Sequence, residues 1–266
     1  MELLVNGSKA YAYTGGKPFD ADLPCVVFIH GALHDHSVWT LLARWFAHHG
    51  HSVLGADLPG HGRSAGAPLA SVEALADWAL ALLDAAGATQ AALVGHSMGS
   101  LIALEAAARA PQRVTRLVMV GSAYPMKVSD ALLATARDAP LKAIDMVNAF
   151  SHSSLAAKPS FPGPGAWLHG GNRALMRRVQ AAQRSVNLFH HDFSVCDRYA
   201  NGWQAASAVR CPVSFILGER DQMTTPKAAR ELAMALKANV TLLPGGHALM
   251  QELPDEVLAA LRAALA

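Results

Sequence analysis

Short, almost uninterrupted apolar runs alternate with amphipathic segments along most of the chain. Two brief segments, 3–5 and 10–13, flank Asn6-Gly7, and this dipeptide favours a hairpin because both turn residues accept positive φ. Six later runs lack the alternation of a one-sided sheet, which is typical of parallel strands buried on both faces. These runs are 25–30, 52–56, 91–94, 117–120, 213–217 and 240–243.

Helical periodicity fills most of the gaps between these runs. Between 72 and 86 apolar residues keep the spacing of one buried face, with Ser71 as the N-cap and Gly87 beyond the C-terminus. Further helices are predicted at 101–110, 226–236 and 254–265, where prolines end the first and open the other two. This order of strands and helices predicts an α/β fold with a mostly parallel central sheet flanked by helices.

Residues 124–209 break the alternation because no strand pattern occurs there. Helical pieces at 130–139, 141–150 and 173–185 surround a Pro/Gly-rich stretch at 158–165. The segment is too long for a loop in a compact domain. We interpret it as a helical insertion over the sheet, so that 1–123 and 210–266 form one core domain.

Composition and charge narrow the class of protein. Of 266 residues, 52% are apolar and 16% charged, which predicts a large buried core, and the net charge of +2 excludes a strongly basic nucleic-acid surface. Cys25, Cys196 and Cys211 are far apart, which disfavours a disulfide framework or a zinc site. We expect a cytoplasmic protein with reduced thiols, no signal peptide and no membrane span, since no run of about 18 apolar residues occurs.

The sequence Gly-His-Ser-Met-Gly at 95–99 is the sharpest chemical signal. It lies between a predicted strand and a predicted helix, which is the context of a nucleophile elbow. Such a turn is strained at the serine, and both glycines leave room for crossing backbone. A plain glycine-rich turn is the alternative. The elbow would present the Ser97 hydroxyl at a helix N-terminus, where developing negative charge is favoured.

A serine nucleophile needs a base and an acid that orients the base. In this chain order the acid follows the strand before last and the histidine follows the last strand. Asp221 and His247 occupy these positions. Glu219 is the nearest alternative acid, whereas Asp192 and Asp197 lie in the insertion and are expected to face a cavity.

Two backbone donors are needed to stabilise the oxyanion. One is the N–H of Met98, directly after the nucleophile. The other belongs to the loop after the first buried strand, where we choose Ala32 and keep Leu33 as the alternative.

The other histidines near these motifs are expected to have structural roles. We expect His30, His61 and His96 to pack or to support their loops, and His34 or His36 to be a candidate for the pocket wall. No H-E-x-x-H spacing occurs, so we expect no metal.

Four motifs in order make the chain resemble the α/β-hydrolase fold superfamily, in particular its esterase-like members with a helical cap. They are His-Gly at 30–31, Asp-Leu-Pro-Gly-His-Gly-Arg-Ser at 57–64, Gly-His-Ser-Met-Gly at 95–99, and Asp221 with His247. The resemblance implies that Ser97 is the nucleophile, His247 the base and Asp221 the acid, that Ala32 and Met98 are the oxyanion donors, and that the insertion is a cap. A serine nucleophile excludes relatives that use aspartate or cysteine there.

These observations predict a serine hydrolase that cleaves a small, largely apolar carboxylic ester through an acyl-enzyme, without a cofactor. The candidate pocket walls are Leu33, Tyr124, Phe150, Phe161, Trp167, Leu168 and Phe189, with cap-to-core packing as their alternative role. A carbon–carbon hydrolase of the meta-cleavage type (with Arg184 and either Trp167 or Trp203 in the pocket), a lactonase and a non-catalytic ligand binder remain alternatives. We expect a small-molecule substrate, no nucleic-acid or membrane partner, and a monomer or homodimer.

Overall fold

A single sheet organises the computed structural model, which describes residues 1–155 and 166–266. The strands among the described residues are β1 (Glu2–Val5), β2 (Ser8–Tyr13), β3 (Cys25–Ile29), β4 (Ser52–Ala56), β5 (Ala91–His96), β6 (Val114–Val120), β7 (Val213–Gly218) and β8 (Asn239–Leu243). Their order is β1-β2-β4-β3-β5-β6-β7-β8. β2 is antiparallel to β1 and β4, whereas all pairs from β4 to β8 are parallel. The predicted hairpin and mostly parallel sheet are therefore confirmed.

Helices connect these strands. Those among the described residues are a 3₁₀ helix (His36–Trp39), α1 (Thr40–Ala47), α2 (Val72–Ala86), α3 (Met98–Arg109), α4 (Asp130–Asp138), α5 (Pro140–Ser151), α6 (Leu168–Ala182), α7 (Leu188–Arg198), α8 (Gly202–Ala208), α9 (Pro226–Ala235), α10 (Leu249–Glu252) and α11 (Pro254–Leu265). On α2 the predicted caps are present: Ser71 accepts a hydrogen bond from the Ala74 N–H, and Gly87 is left-handed with φ of 72°. None of these helices is long and apolar enough to cross a membrane.

Both faces of the sheet are buried, as the apolar runs predict. On β6, Leu117 and Met119 belong to one core with α2, α3 and α9, while Val118 and Val120 belong to the other with α1 and α11. β8 differs from the prediction because it is an edge strand. Its first four residues are exposed, so its apolar run does not mark a strand buried on both sides.

The segment between β6 and β7 is helical, as predicted, and its described part contains no strand. α4, α5, α6 and α7 pack mainly against one another, whereas α8 packs against α3 and α9 of the layer that covers the sheet. α7 and α8 are absent from the sequence prediction. The predicted Pro/Gly-rich stretch 158–165, with Phe161, lies outside the described residues.

Candidate active site

Ser97 occupies the sharp turn between β5 and α3. Its backbone has φ of 54° and ψ of −120°, a conformation that residues other than glycine rarely adopt. The turn is crowded: a Cβ on Gly95 would overlap the Gly99 carbonyl, and one on Gly99 would overlap the Ile29 carbonyl. Both glycines are therefore required by close backbone approach, as the elbow motif predicts.

Asp221 and His247 form a buried pair on the loops that follow β7 and β8. The Nδ1–H of His247 donates to Oδ2 of Asp221 at 2.8 Å, and because a carboxylate only accepts, the proton resides on Nδ1. Nε2 is then the ring nitrogen that can act as the general base. The backbone N–H groups of Met223 and Thr224 each donate to the other carboxylate oxygen at 2.8 Å. Glu219, the alternative acid, is exposed.

The environment of Asp221 favours its ionised form. Burial acts to raise the pKa of Asp221, but the charge and hydrogen bond of His247 and the hydrogen bonds of Thr224 outweigh it and hold that pKa below its ordinary value. An ionised acid at this position stabilises an imidazolium that forms during a reaction.

His96 connects the elbow to the histidine loop, although β5 and β8 are not neighbours. Its Nε2–H donates to the backbone carbonyl of His247 at 3.0 Å, and the two rings lie 4.7 Å apart. Burial, with His247 and His34 nearby, holds the pKa of His96 well below its usual range, so the ring is neutral. We expected His96 only to pack; no local pattern reveals a contact between residues 151 positions apart.

The two predicted oxyanion residues lie close to Ser97. Met98 is the first residue of α3, where backbone N–H groups lack an intrahelical acceptor, and Ala32 lines the same cavity as Ser97. The Leu33 N–H instead donates to Oδ2 of Asp192 at 2.8 Å. The Leu33 N–H is therefore not available as the alternative oxyanion donor. We expected Asp192 to face a cavity, but it contacts the loop that carries Leu33.

A cavity of about 270 Å³ opens beside Ser97 and is mostly apolar. The helical insertion supplies most of its wall, and Met223 contributes from the loop of Asp221. The apolar side chains from the insertion are Met126, Val128, Leu132, Met146, Val147, Phe150 and Phe193.

Of the predicted pocket residues within the described part of the chain, only Phe150 lines this cavity. Leu33 and Phe189 are fully buried, and Phe189 stacks on Phe193 at 4.5 Å, so it supports the wall from behind. Tyr124 packs edge-on against Tyr199 and Trp203. Trp167 and Leu168 line a separate hollow of about 540 Å³. For Phe189 and Tyr124 the reason is packing, because both rings are buried against other aromatic side chains and do not face the cavity.

The proposed Arg–Trp pair of a carbon–carbon hydrolase is not assembled at this cavity. Arg184 is exposed, Trp203 packs on Tyr124, and neither they nor Trp167 belong to the described wall around Ser97.

His30, His34 and His36 hold loops, and neither they nor the other histidines line the cavity beside Ser97. The Nδ1–H of His30 donates to the Gly31 carbonyl, and its Nε2 accepts from the Leu58 N–H. Burial lowers the pKa of His30 to about 4. His34 Nδ1 lies 2.8 Å from the Ala32 carbonyl oxygen, and His36 donates to Asp57.

Asp35, His36 and Asp57 form the one metal-like cluster among the described residues, with ligand atoms within 4.8 Å of one another. Its carboxylates are already engaged: Asp35 accepts from Arg178 and Ser37, and Asp57 accepts from His36. The cluster is thus explained by internal hydrogen bonds.

Known proteins match this chain over most of its length. The family model described as alpha/beta hydrolase fold matches residues 24–252. An (E)-2-((N-methylformamido)methylene)succinate hydrolase of Acinetobacter baylyi is 25% identical over 90% of this chain and 89% of its own length. The sn-1-specific diacylglycerol lipase ABHD11 of Mus musculus is 35% identical over 135 residues, which are 50% of this chain and only 44% of that protein.

Among solved structures, the enol-lactonase from Burkholderia xenovorans LB400 superposes with a TM-score of 0.84 at 23% identity, covering 100% of this chain and 99% of the other. At that identity the likeness concerns the fold alone. The family match extends from β3 to α10 and includes every element that carries the site. The chain therefore belongs to the α/β-hydrolase fold family.

Proposed function

We propose that this hydrolase cleaves a small, largely apolar carboxylic ester with Ser97 as nucleophile, His247 as base and Asp221 as acid. One observation carries the proposal. The strained Ser97 turn and the buried Asp221–His247 pair both lie at the carboxyl ends of the parallel strands. The hydrogen bond from His96 to His247 links them.

The reaction proceeds through an acyl-enzyme. His247 Nε2 takes the hydroxyl proton as Ser97 Oγ attacks the ester carbonyl, and the N–H groups of Ala32 and Met98 stabilise the oxyanion. Collapse of the tetrahedral intermediate breaks the ester C–O bond, and His247 gives its proton to the departing alcohol. Water then attacks the acyl carbon with His247 as base, which releases the carboxylic acid and restores Ser97.

The cavity beside Ser97 supports an apolar acyl or aryl group as the bound part of the substrate. Three methionines and two phenylalanines contribute thioether and phenyl groups to the wall, and 270 Å³ suits a small molecule. Lys127 also belongs to the wall, but its amino group donates to the Asp197 carbonyl at 2.7 Å. In this proposal residues 124–209 act as a cap that sets selectivity, while the core performs the chemistry.

A serine-directed fluorophosphonate tests the nucleophile, with Ser97→Ala as the matched variant. Labelling of the wild type alone, together with turnover of p-nitrophenyl acetate, supports the proposal. Equal labelling of both proteins contradicts the assignment of Ser97.

A panel of alkyl esters, lactones, thioesters and a ring-fission diketone then separates the substrate classes. A lactone is a cyclic ester and would use the same steps. A preference for the diketone would overturn the ester assignment, and labelling without turnover of any of these would favour a ligand-binding protein.

A further inference from the structure

Asp192 is a buried carboxylate of the insertion that contacts the loop carrying Ala32. It lies on α7 and is 1% exposed. Its Oδ2 accepts hydrogen bonds from the Leu33 N–H at 2.8 Å and from His61 Nε2 at 2.9 Å. Its Oδ1 lies 3.1 Å from Nδ1 of His191. The proposed mechanism uses none of these contacts.

His61 is the positive partner of this carboxylate. Both of its ring nitrogens face acceptors, namely the Pro59 carbonyl at 3.0 Å and Asp192, so both must carry protons. Burial alone would lower the pKa of His61, but Asp192 outweighs it and raises that pKa above its ordinary value. A buried pair that keeps an imidazolium next to its carboxylate leaves neither charge uncompensated.

The contact to Leu33 matters because of the backbone conformation there. Leu33 has φ of 56°, and a residue other than glycine in this region costs about 1–3 kcal/mol and persists only where its surroundings hold it. The peptide group between Ala32 and Leu33 is held from both ends. Asp192 accepts from its N–H, while His34 Nδ1 lies 2.8 Å from its carbonyl oxygen. His34 in turn contacts Asn172 of α6 at 2.9 Å.

We propose that Asp192 is a positioning residue that fixes the Ala32–Leu33 peptide group and thereby aims the Ala32 N–H at the oxyanion. The inference rests on the proposed function, because it assigns Asp192 a role in that reaction. It also means that α7 of the insertion assembles the site and does more than cover it.

The test compares Asp192→Ala with Asp192→Asn in the full chain. Both variants lose the charge that balances His61, so both should melt at a lower temperature than the wild type. Only Asn keeps an oxygen that accepts from Leu33. We expect Asp192→Ala to lower kcat for p-nitrophenyl acetate by about 10², comparable to loss of an oxyanion donor, with little change in KM. Asp192→Asn should keep kcat close to the wild type.

A trifluoromethyl ketone, which forms a tetrahedral adduct with an active serine, supplies a readout that a stability defect does not move. Its affinity should fall in Asp192→Ala by the same factor as kcat/KM and be retained in Asp192→Asn. Asp145→Ala is the control, since Asp145 pairs with Arg173 and Arg177 elsewhere in the insertion. It should leave kcat unchanged.

If Asp192→Ala does not fold, the double variant His61→Phe/Asp192→Leu replaces the ion pair with apolar side chains, a change that is often tolerated. It leaves the Leu33 N–H without an acceptor and should show the same loss of kcat. Wild-type kcat in either variant, or equal losses in the Ala and Asn variants, overturns the inference. If the fluorophosphonate does not label the wild type, that result would instead overturn the proposed function.

Discussion

Ser97 carries strain that the residues around it maintain. Its N–H donates to the Val120 carbonyl at 3.0 Å, and Gly95 and Gly99 allow the backbones on either side to pass closely. These contacts stabilise a turn that a serine would not adopt on its own, and they place the hydroxyl at the start of a 12-residue helix.

Removing the hydroxyl and removing the side chain should therefore have different effects. Ser97→Ala should lower kcat by about 10³ or more with the fold intact. Ser97→Gly should be equally inactive, yet more stable than Ser97→Ala by about 1 kcal/mol. The reason is that relief of about 1–3 kcal/mol of strain exceeds the roughly 0.5–1 kcal/mol entropic cost of glycine. Urea unfolding of the two variants measures the difference, and a less stable glycine variant would contradict the strain.

The two candidate acids can be ranked directly. Asp221→Asn should lower kcat by up to about 10⁴, because His247 would be held in the wrong tautomer. Glu219→Gln is the control, since Glu219 is exposed and its backbone N–H, not its carboxylate, contacts the β8 end at Leu243. Steady-state kinetics measure both losses of kcat. A larger loss in Glu219→Gln than in Asp221→Asn would identify Glu219 as the acid.

At the scale of elements, α5 supplies part of the cavity wall beside Ser97, whereas the start of α6 borders another hollow. Phe150 and Trp167 offer a matched comparison because their exposed fractions are 51% and 53%. Phe150→Ala should weaken binding of hexanoate esters by about 1 kcal/mol relative to acetate esters, through lost apolar contact. Trp167→Ala should leave this preference unchanged. KM across an acyl series measures both, and a shift confined to Trp167→Ala would place the substrate in the other hollow.

The elements that sequence predicts well are those whose signals are local. The hairpin at Asn6, the caps of α2 and the elbow at Ser97 depend on a few adjacent residues. The sequence predicts the position of β8 but not its exposure, because exposure depends on the order of the strands in the sheet. The sequence does not predict α7 because its histidines, aromatic residues and valine obscure a simple helical stripe. Its apolar face becomes clear only in the structure, where Phe189 and Phe193 are buried and α7 packs against α4 and α5.

At the scale of the whole molecule, contacts between distant segments hold the site together. Chain order alone predicts Ser97, Asp221 and His247, since each follows a strand in sequence. By contrast, the His61–Asp192 contact joins residues 131 positions apart. Two charged residues in separate helical and loop segments give no local indication that they will meet, so this part of the site could not be predicted.

The same ion pair should make stability depend on pH. His61 has a folded pKa above its unfolded value of roughly 6.5, so the folded chain binds more protons between the two values. The free energy of unfolding should then fall as pH rises through that window. Asp57 and His191 also face the pair, while His30, with a pKa of about 4, stays neutral throughout.

Urea unfolding at pH 6 and pH 9 tests this expectation, with the His61→Phe/Asp192→Leu variant as the control. The stability advantage of the wild type over the variant should shrink at the higher pH. A constant or growing advantage would show that folding does not raise the pKa of His61.

β6 and β7 are adjacent strands, and α8, which lies between them in the chain, packs against the covering helices α3 and α9, whereas α4 to α7 pack mainly against one another. The helices α4 to α7 are therefore an insertion that the pairing of the strands does not require, and they could be exchanged as one segment. A chimera that takes this unit from a related hydrolase would keep its sheet and its serine turn. The chimera would still need an acceptor for the Leu33 N–H. We therefore expect an insertion chosen only for the shape of its cavity to bind the new substrate but to support slow turnover.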